Sequence, residues 1–296
     1  MSSLKDALDT CVADARTLTG GSPATYIPEL ASVDLEATSA AIVTVDGEVI
    51  TAGDGHRFTM QSSAKLVLLA GLLEERGPEA VFDRVGTEPS GGSFSSLARL
   101  ETHGPRPANP LVNAGAIALA GMLDGPLEDR LAWIDGWATR LYGAPVPVNL
   151  RVAISERRTG DRNRAIAWFL KSAGVLREVD DVLETYFTLC SLEATCREAA
   201  HLGAVLARGG GGVISPRTAG AVLAIMATCG MYDESGAHLV ETGMPAKSGV
   251  SGVIVAVAPG RAGVAVSSPR INDKGGSIRG HAMLRSLSRQ LGWHLA

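Results

Sequence analysis

Hydrophobic and polar positions along this 296-residue chain change rhythm twice. Over 40–55, AAIVTVDGEVITAGDG, two β-rich runs meet at Asp46-Gly47, a strong hairpin signal. Over 252–269, GVIVAVAPGRAGVAVSSP again reads as two strands around a Pro-Gly turn, and a helix follows from about Ser277 to Leu291. Between these β regions the spacing turns helical, in runs at 65–76, 78–84, 112–123, 126–141, 161–172, 178–206 and 215–229. Residues 3–18 add an amphipathic surface helix. Strands at both ends with helices between predict an α+β fold, in which the N- and C-terminal segments close one antiparallel sheet around an inserted helical lobe. Strict βαβ alternation is absent and no glycine-rich loop follows a strand, which disfavours a doubly wound nucleotide-binding fold. Four glycines at 209–212 read as a flexible connector.

The stretch Arg57–Gly77, RFTMQSSAKLVLLAGLLEERG, carries the first chemistry. Its apolar residues run almost all the way round, then give way to Glu74, Glu75 and Arg76 before Gly77, as in a buried helix with a glycine at its end. A lysine in the first turn of such a helix is costly unless it is paired or gives up its proton. Residues three apart share a helix face, so Lys65 meets Ser62 and not Ser63. The free N–H groups and dipole of a helix start also favour negative charge on a bound oxygen. This is the S-x-x-K spacing of serine acyl-transfer enzymes. Ser2 and Lys5 repeat it with no other sign of chemistry, so the spacing alone reads equally as a capping serine and a surface lysine.

Bulk properties narrow the classes. A net charge of −4 gives no basic footprint for nucleic acid. The N-terminal MSSLKDALDTCVADAR is no signal peptide, and no apolar run approaches the ~20 residues that span a bilayer. Cys11, Cys190, Cys196 and Cys229 include no C-x-x-C pair, which fits reduced, buried thiols in a cytoplasmic protein. The histidines lack metal-ligand spacing, so neither a metal nor a cofactor is expected.

Several polar clusters could line a cleft. Asn109 and Asn113 fall at a helix start, where capping is the plain reading. ISERRTGDRNRAIAWFL (154–170) gathers Glu156, Arg157, Arg158, Asp161, Arg162 and Asn163 before an apolar helix, and reads as a solvated loop with Asp161 as cap. Tyr186 would ordinarily be core, Tyr26 and Tyr232 fall in loops, and Lys247-Ser248-Gly249 opens a strand. Of only five lysines, two fall in S-x-x-K and K-S-G, the two halves of the penicillin-recognising signature. Together they point to a serine acyl-enzyme fold.

The middle S-x-N or Y-x-N motif of β-lactamases is absent. What stands in its place resembles the serine-dependent glutaminases. The matching segments are YIPELA (26–31), FTMQSSAK (58–65), EPSG (88–91), NPLVNAGAI (109–117), SERRTGDRN (155–163), YFTLCSLEATC (186–196), CGMYDESG (229–236), PAKSGVSGV (245–253) and GGSIRGH (275–281). Ser63-Ala64 departs from the family's usual Ile-Ser, and the loop LETHGPRPANP before Asn109 is altered. The resemblance implies a β-lactamase/DD-peptidase-like fold and one catalytic domain over 1–296, with an α/β lobe at about 20–80 plus 240–296 and a helical lobe at about 81–239. It implies hydrolysis of L-glutamine to L-glutamate and ammonia, with Ser62 as nucleophile, Lys65 as base and Tyr232 as proton relay. Glu156 matches the family's ammonium acceptor. Asn113, Asn163, Tyr26 and Tyr186 match other substrate contacts, and the N–H groups of Ser62 and Val250 would hold an oxyanion. Lys247 either repels a proton from Lys65 or shapes the strand edge. A homo-oligomer, dimer or tetramer, is the family expectation. The rivals are a penicillin-recognising hydrolase, disfavoured by the missing motif, and an amino-acid sensor, which would need no base beside a hydroxyl.

Overall fold

The computed structural model describes residues 3–91 and 98–295, so Ser2 of the second S-x-x-K lies outside them. Its strands are β1 (Ser39–Thr44), β2 (Val49–Gly53), β3 (Phe58–Thr59), β4 (Glu193–Ala194), β5 (Ala246–Ser248), β6 (Val253–Ala258) and β7 (Ala262–Ser267). Five of them form one antiparallel sheet in the order β2-β1-β7-β6-β5, while β3 pairs with β4 alone. At its centre β1 runs against β7 from Ser39↔Ser267 to Thr44↔Ala262. Strands from the two ends of the chain thus lie side by side, as the pattern of runs predicts.

The helices are α1 (Leu4–Arg16), α2 (Pro28–Ala31), α3 (Lys65–Arg84), α4 (Ala98–His103), α5 (Asn113–Ala120), α6 (Leu127–Tyr142) and α7 (Leu150–Thr159), then α8 (Asp161–Ser172), α9 (Asp180–Cys190), α10 (Cys196–Ala207), α11 (Pro216–Cys229), α12 (Ser235–Thr242) and α13 (Ile278–Leu291). Every position of β6 and β7 is buried, which requires a covering layer on each face. Val253, Val255 and Val257 enter one core with α3 and α10, while Ile254, Ala256 and Ala258 enter a second with α1 and α13. Gly263 lets α10 lie directly on β7, since a Cβ there would come within 2.1 Å of Ala204 N.

Three expectations are corrected. The run 178–206 is not one helix: α9 ends at Cys190, β4 follows, and α10 restarts behind a capping box formed by Thr195 and Glu198. The segment 154–160 is not a solvated loop but most of α7, capped by Asn149 and buried at Val152, Ala153 and Glu156. Asp161 caps nothing; Gly160 ends α7 and begins α8. The four glycines at 209–212 form a closed turn, all at positive φ, in which a Cβ on Gly210 would meet Ile214 O at 2.0 Å.

Candidate active site

Ser62 sits in a 3-10 turn, Gln61–Ala64, that joins β3 to α3. The turn is clamped: Met60 N donates to Leu192 O at 2.7 Å, and Ser251 Oγ donates to Thr59 O at 2.6 Å. Gln61 before it holds φ 47°, one of two positive values at non-glycine residues among those described. The other is Tyr232, at 53°. Strained backbone of this kind persists only where its surroundings enforce it, and here both cases flank one serine. Ser63 Oγ is tied inward to Met60 O, and Ser62 opens toward the cleft.

Lys65 is fully buried at the start of α3. Its Nζ donates to Leu111 O at 3.1 Å and to Asn113 Oδ1 at 2.8 Å, and lies 5.8 Å from the centroid of the Tyr186 ring. Burial lowers its pKa to about 8, against the pull of nearby Cys190 and Glu156. Asn113 is therefore no helix cap: it passes its amide on to Asn163 Oδ1 at 2.9 Å. Asn109 keeps a local role, accepting from the backbone of Leu111 and Val112.

Lys247, on the edge strand β5, is also buried, donates to Ser248 O at 2.6 Å and lies 4.3 Å over the Tyr232 ring. Its pKa falls well below the usual lysine value, first through burial and then through the charge of Lys65. Lys247 thus stands on the strand edge under the Tyr232 ring, with Lys65 near enough for the two charges to oppose each other. Burial pushes the Tyr232 hydroxyl up to about 12, tempered by the hydroxyls of Ser62 and Ser248.

Tyr26, Ser62, Asn113, Glu156, Asn163, Tyr186 and Val250 all line one cavity of about 330 Å3. Lys65 and Tyr232 reach it through Asn113 and Ser62. Gly160 makes this convergence possible: a Cβ there would strike Glu156 O and Phe187 Cζ, both at 2.6 Å, and only a sharp break between α7 and α8 brings Glu156 and Asn163 to the same wall. Glu156 is the cavity's one carboxylate among the described residues. Burial raises its pKa, while bonding to Tyr26 and Gln61 and the charge of Lys65 draw it down. Tyr26 Oη lies 2.8 Å from both Glu156 Oε1 and Gln61 Oε1. Arg162, one of the polar cluster named from sequence, lines the cavity, as do Gln61 and Cys190, which were not named for it. Gln61 carried a signal in its place beside Ser62, whereas Cys190 and Arg162 reach the wall only through tertiary packing.

A serine at a clamped turn, a buried lysine poised to lose its proton and a cavity with one buried carboxylate define a small-molecule hydrolase site. The glutaminase family model matches residues 21–295, and the chain belongs to that family. A glutaminase from Legionella pneumophila (strain Corby) is 48% identical over 285 residues, covering 93% of this chain and 92% of the relative. Among solved structures, the probable glutaminase ybaS superposes with a TM-score of 0.96 at 39% identity, covering 100% of this chain and 99% of that one. Mglu in its glutamate form gives 0.93 at 33% identity, covering 100% and 70%. The family consists of hydrolases acting on glutamine, and the chain is an enzyme of that class.

Proposed function

We propose that this chain hydrolyses the side-chain amide of L-glutamine to L-glutamate and ammonia through an acyl-enzyme on Ser62. The observation that carries the reading is the environment of Lys65. A neutral amine has two N–H bonds, and Leu111 O and Asn113 Oδ1 take both. The lone pair is then the remaining direction, and an acyl-transfer serine three residues back is the hydroxyl it would accept from.

Ser62 Oγ attacks the amide carbon as Lys65 takes its proton. The backbone N–H groups of Ser62 and Val250 have no acceptor among the described residues, and both residues line the cavity. They would hold the oxyanion, each donor worth about 3 kcal/mol. As the C–N bond breaks, Tyr232 gives its proton to the leaving nitrogen, which departs as ammonia, and is reprotonated by the Lys65 ammonium, so that Lys65 is neutral again when water hydrolyses the glutamyl ester. Glu156 pairs with the substrate ammonium, a charge for which its cavity otherwise offers no carboxylate. Asn163, Tyr26 and Tyr186 serve the rest of the amino acid, with Arg162 at the rim for its α-carboxylate. In this reading the fold is β-lactamase-like, and the chain is one catalytic domain whose sheet-bearing lobe, about 20–80 and 240–296, faces a helical lobe at about 81–239.

The test is ammonia and glutamate release from L-glutamine, with asparagine and a chromogenic β-lactam as competing substrates. Turnover of glutamine that Ser62→Ala abolishes is expected. Cleavage of the β-lactam, or glutamine binding without release, would replace the reading with one of its rivals.

A further inference from the structure

Next to Tyr232 in sequence begins a chain of partly buried polar groups, none of which lines the cavity or serves any step above. Tyr232 opens the 3-10 turn Tyr232–Glu234, and two residues later Glu234 turns inward. Glu234 Oε1 accepts from Asn272 Nδ2 at 2.9 Å, and Glu234 Oε2 faces His281 Nε2 at 3.6 Å. His281 Nδ1 in turn lies 3.4 Å from Nδ1 of His238, a residue only 3% exposed. These groups come from separate elements: His238 from α12, His281 from the first turn of α13, and Asn272 from the turn after β7.

That turn is built to receive them. Asn272 Oδ1 accepts from Lys274 N and Gly276 N, both at 3.0 Å, and so closes the loop onto itself. A Cβ on Gly276 would come within 2.6 Å of His281 Nε2 and 2.7 Å of Glu234 Oε2, so only glycine leaves room for the pair. A Cβ added to its neighbour Gly275 would come within ordinary contact of Val250 Cγ1, at 3.5 Å, and Tyr232 Cε2, at 3.8 Å. One network thus touches both the strained tyrosine and the turn that carries the second oxyanion amide.

We infer that Glu234, held by Asn272 and facing His281, is a positioning residue that fixes the Tyr232 turn in the conformation from which its hydroxyl reaches the leaving nitrogen. Glu234 Oε2 and His281 Nε2 are both buried atoms and stand 3.6 Å apart, beyond a hydrogen bond, so packing and the carboxylate's charge link the pair. The Asn272 bond, with the loop that Asn272 closes onto itself, ties the Glu234 side chain to a fixed backbone. The inference rests on the glutaminase reading above, with Tyr232 as proton relay.

Glu234→Gln keeps the size of the side chain and its bond to Asn272 but removes the charge facing His281. His281→Gln removes the opposite partner. Each would be assayed on L-glutamine and on the γ-para-nitrophenyl ester of glutamate, whose leaving group departs without a proton. The two substrates share the nucleophile, base, oxyanion donors and amino-acid contacts. We expect kcat/KM for glutamine to fall about tenfold to a hundredfold, as small misplacements of a catalytic group do, with the ester changing less than twofold. Ester turnover doubles as the check that the variants fold. Equal losses on both substrates would make the network merely structural, and unchanged glutamine turnover would deny it any role; either result overturns the inference. Loss of the reading beneath it would appear separately, as wild-type protein that turns over neither substrate.

Discussion

Lys65 has no ion-pair partner among the described residues, so burial dominates its protonation state, against the weaker pull of Cys190 and Glu156. A base whose pKa is lowered from 10.5 to about 8 is mostly protonated at neutral pH and becomes competent as pH rises. The expected kcat/KM profile therefore climbs with pH to a plateau, with its inflection near the value of about 8 given by burial. Lys65→Arg, a charge that cannot be shed, should cost about a thousandfold and remove the inflection. In its proposed role Glu156, like Lys65, must be deprotonated, but here burial works against function by pushing the pKa up. Glu156→Gln should raise KM for glutamine about tenfold to a hundredfold, the loss of one charge-assisted hydrogen bond, while kcat falls less. Equal KM in steady-state assays of both proteins would remove Glu156 from substrate recognition.

At the scale of elements, the sheet and its covering helices were legible because their periods are clean. The alternation in β6 sorts valines to one core and Ile254, Ala256 and Ala258 to the other. The contact of α10 with β7 depends on Gly263, whose missing side chain admits the backbone of Ala200 and Ala204. Gly263→Ala should cost about 3 kcal/mol through overpacking, read as a lowered denaturation midpoint with an unchanged slope. Where the sequence misled, the cause was local. α7 carries Glu156, Arg157 and Arg158 in succession, and its buried positions are too few to show a helical stripe. The break between α9 and α10 falls at Ser191-Leu192, with neither glycine nor proline to mark it. The glycines at 209–212 look flexible by composition, but their positive φ values are what the closed turn demands.

Across the whole molecule, the site draws on residues from Tyr26 to Val250, and no local pattern joins them. Residue spacing alone pointed to Ser62, Lys65 and Lys247; Tyr26, Asn113, Asn163 and Tyr186 entered through family resemblance, because their meeting is a product of tertiary closure. Gln61 and Tyr232 share a property invisible in sequence, a left-handed backbone held at a side chain. The clamped 3-10 turn and the edge strand β5 bring the two ends of the chain to one serine, on which the proposed chemistry depends. The most direct measurement is the mass of the intact protein, acid-quenched during glutamine turnover and mapped by peptide. One added glutamyl group is expected on the peptide carrying Ser62, absent from Ser62→Ala. An adduct on Cys190, or steady glutamate release by Ser62→Ala, would contradict it.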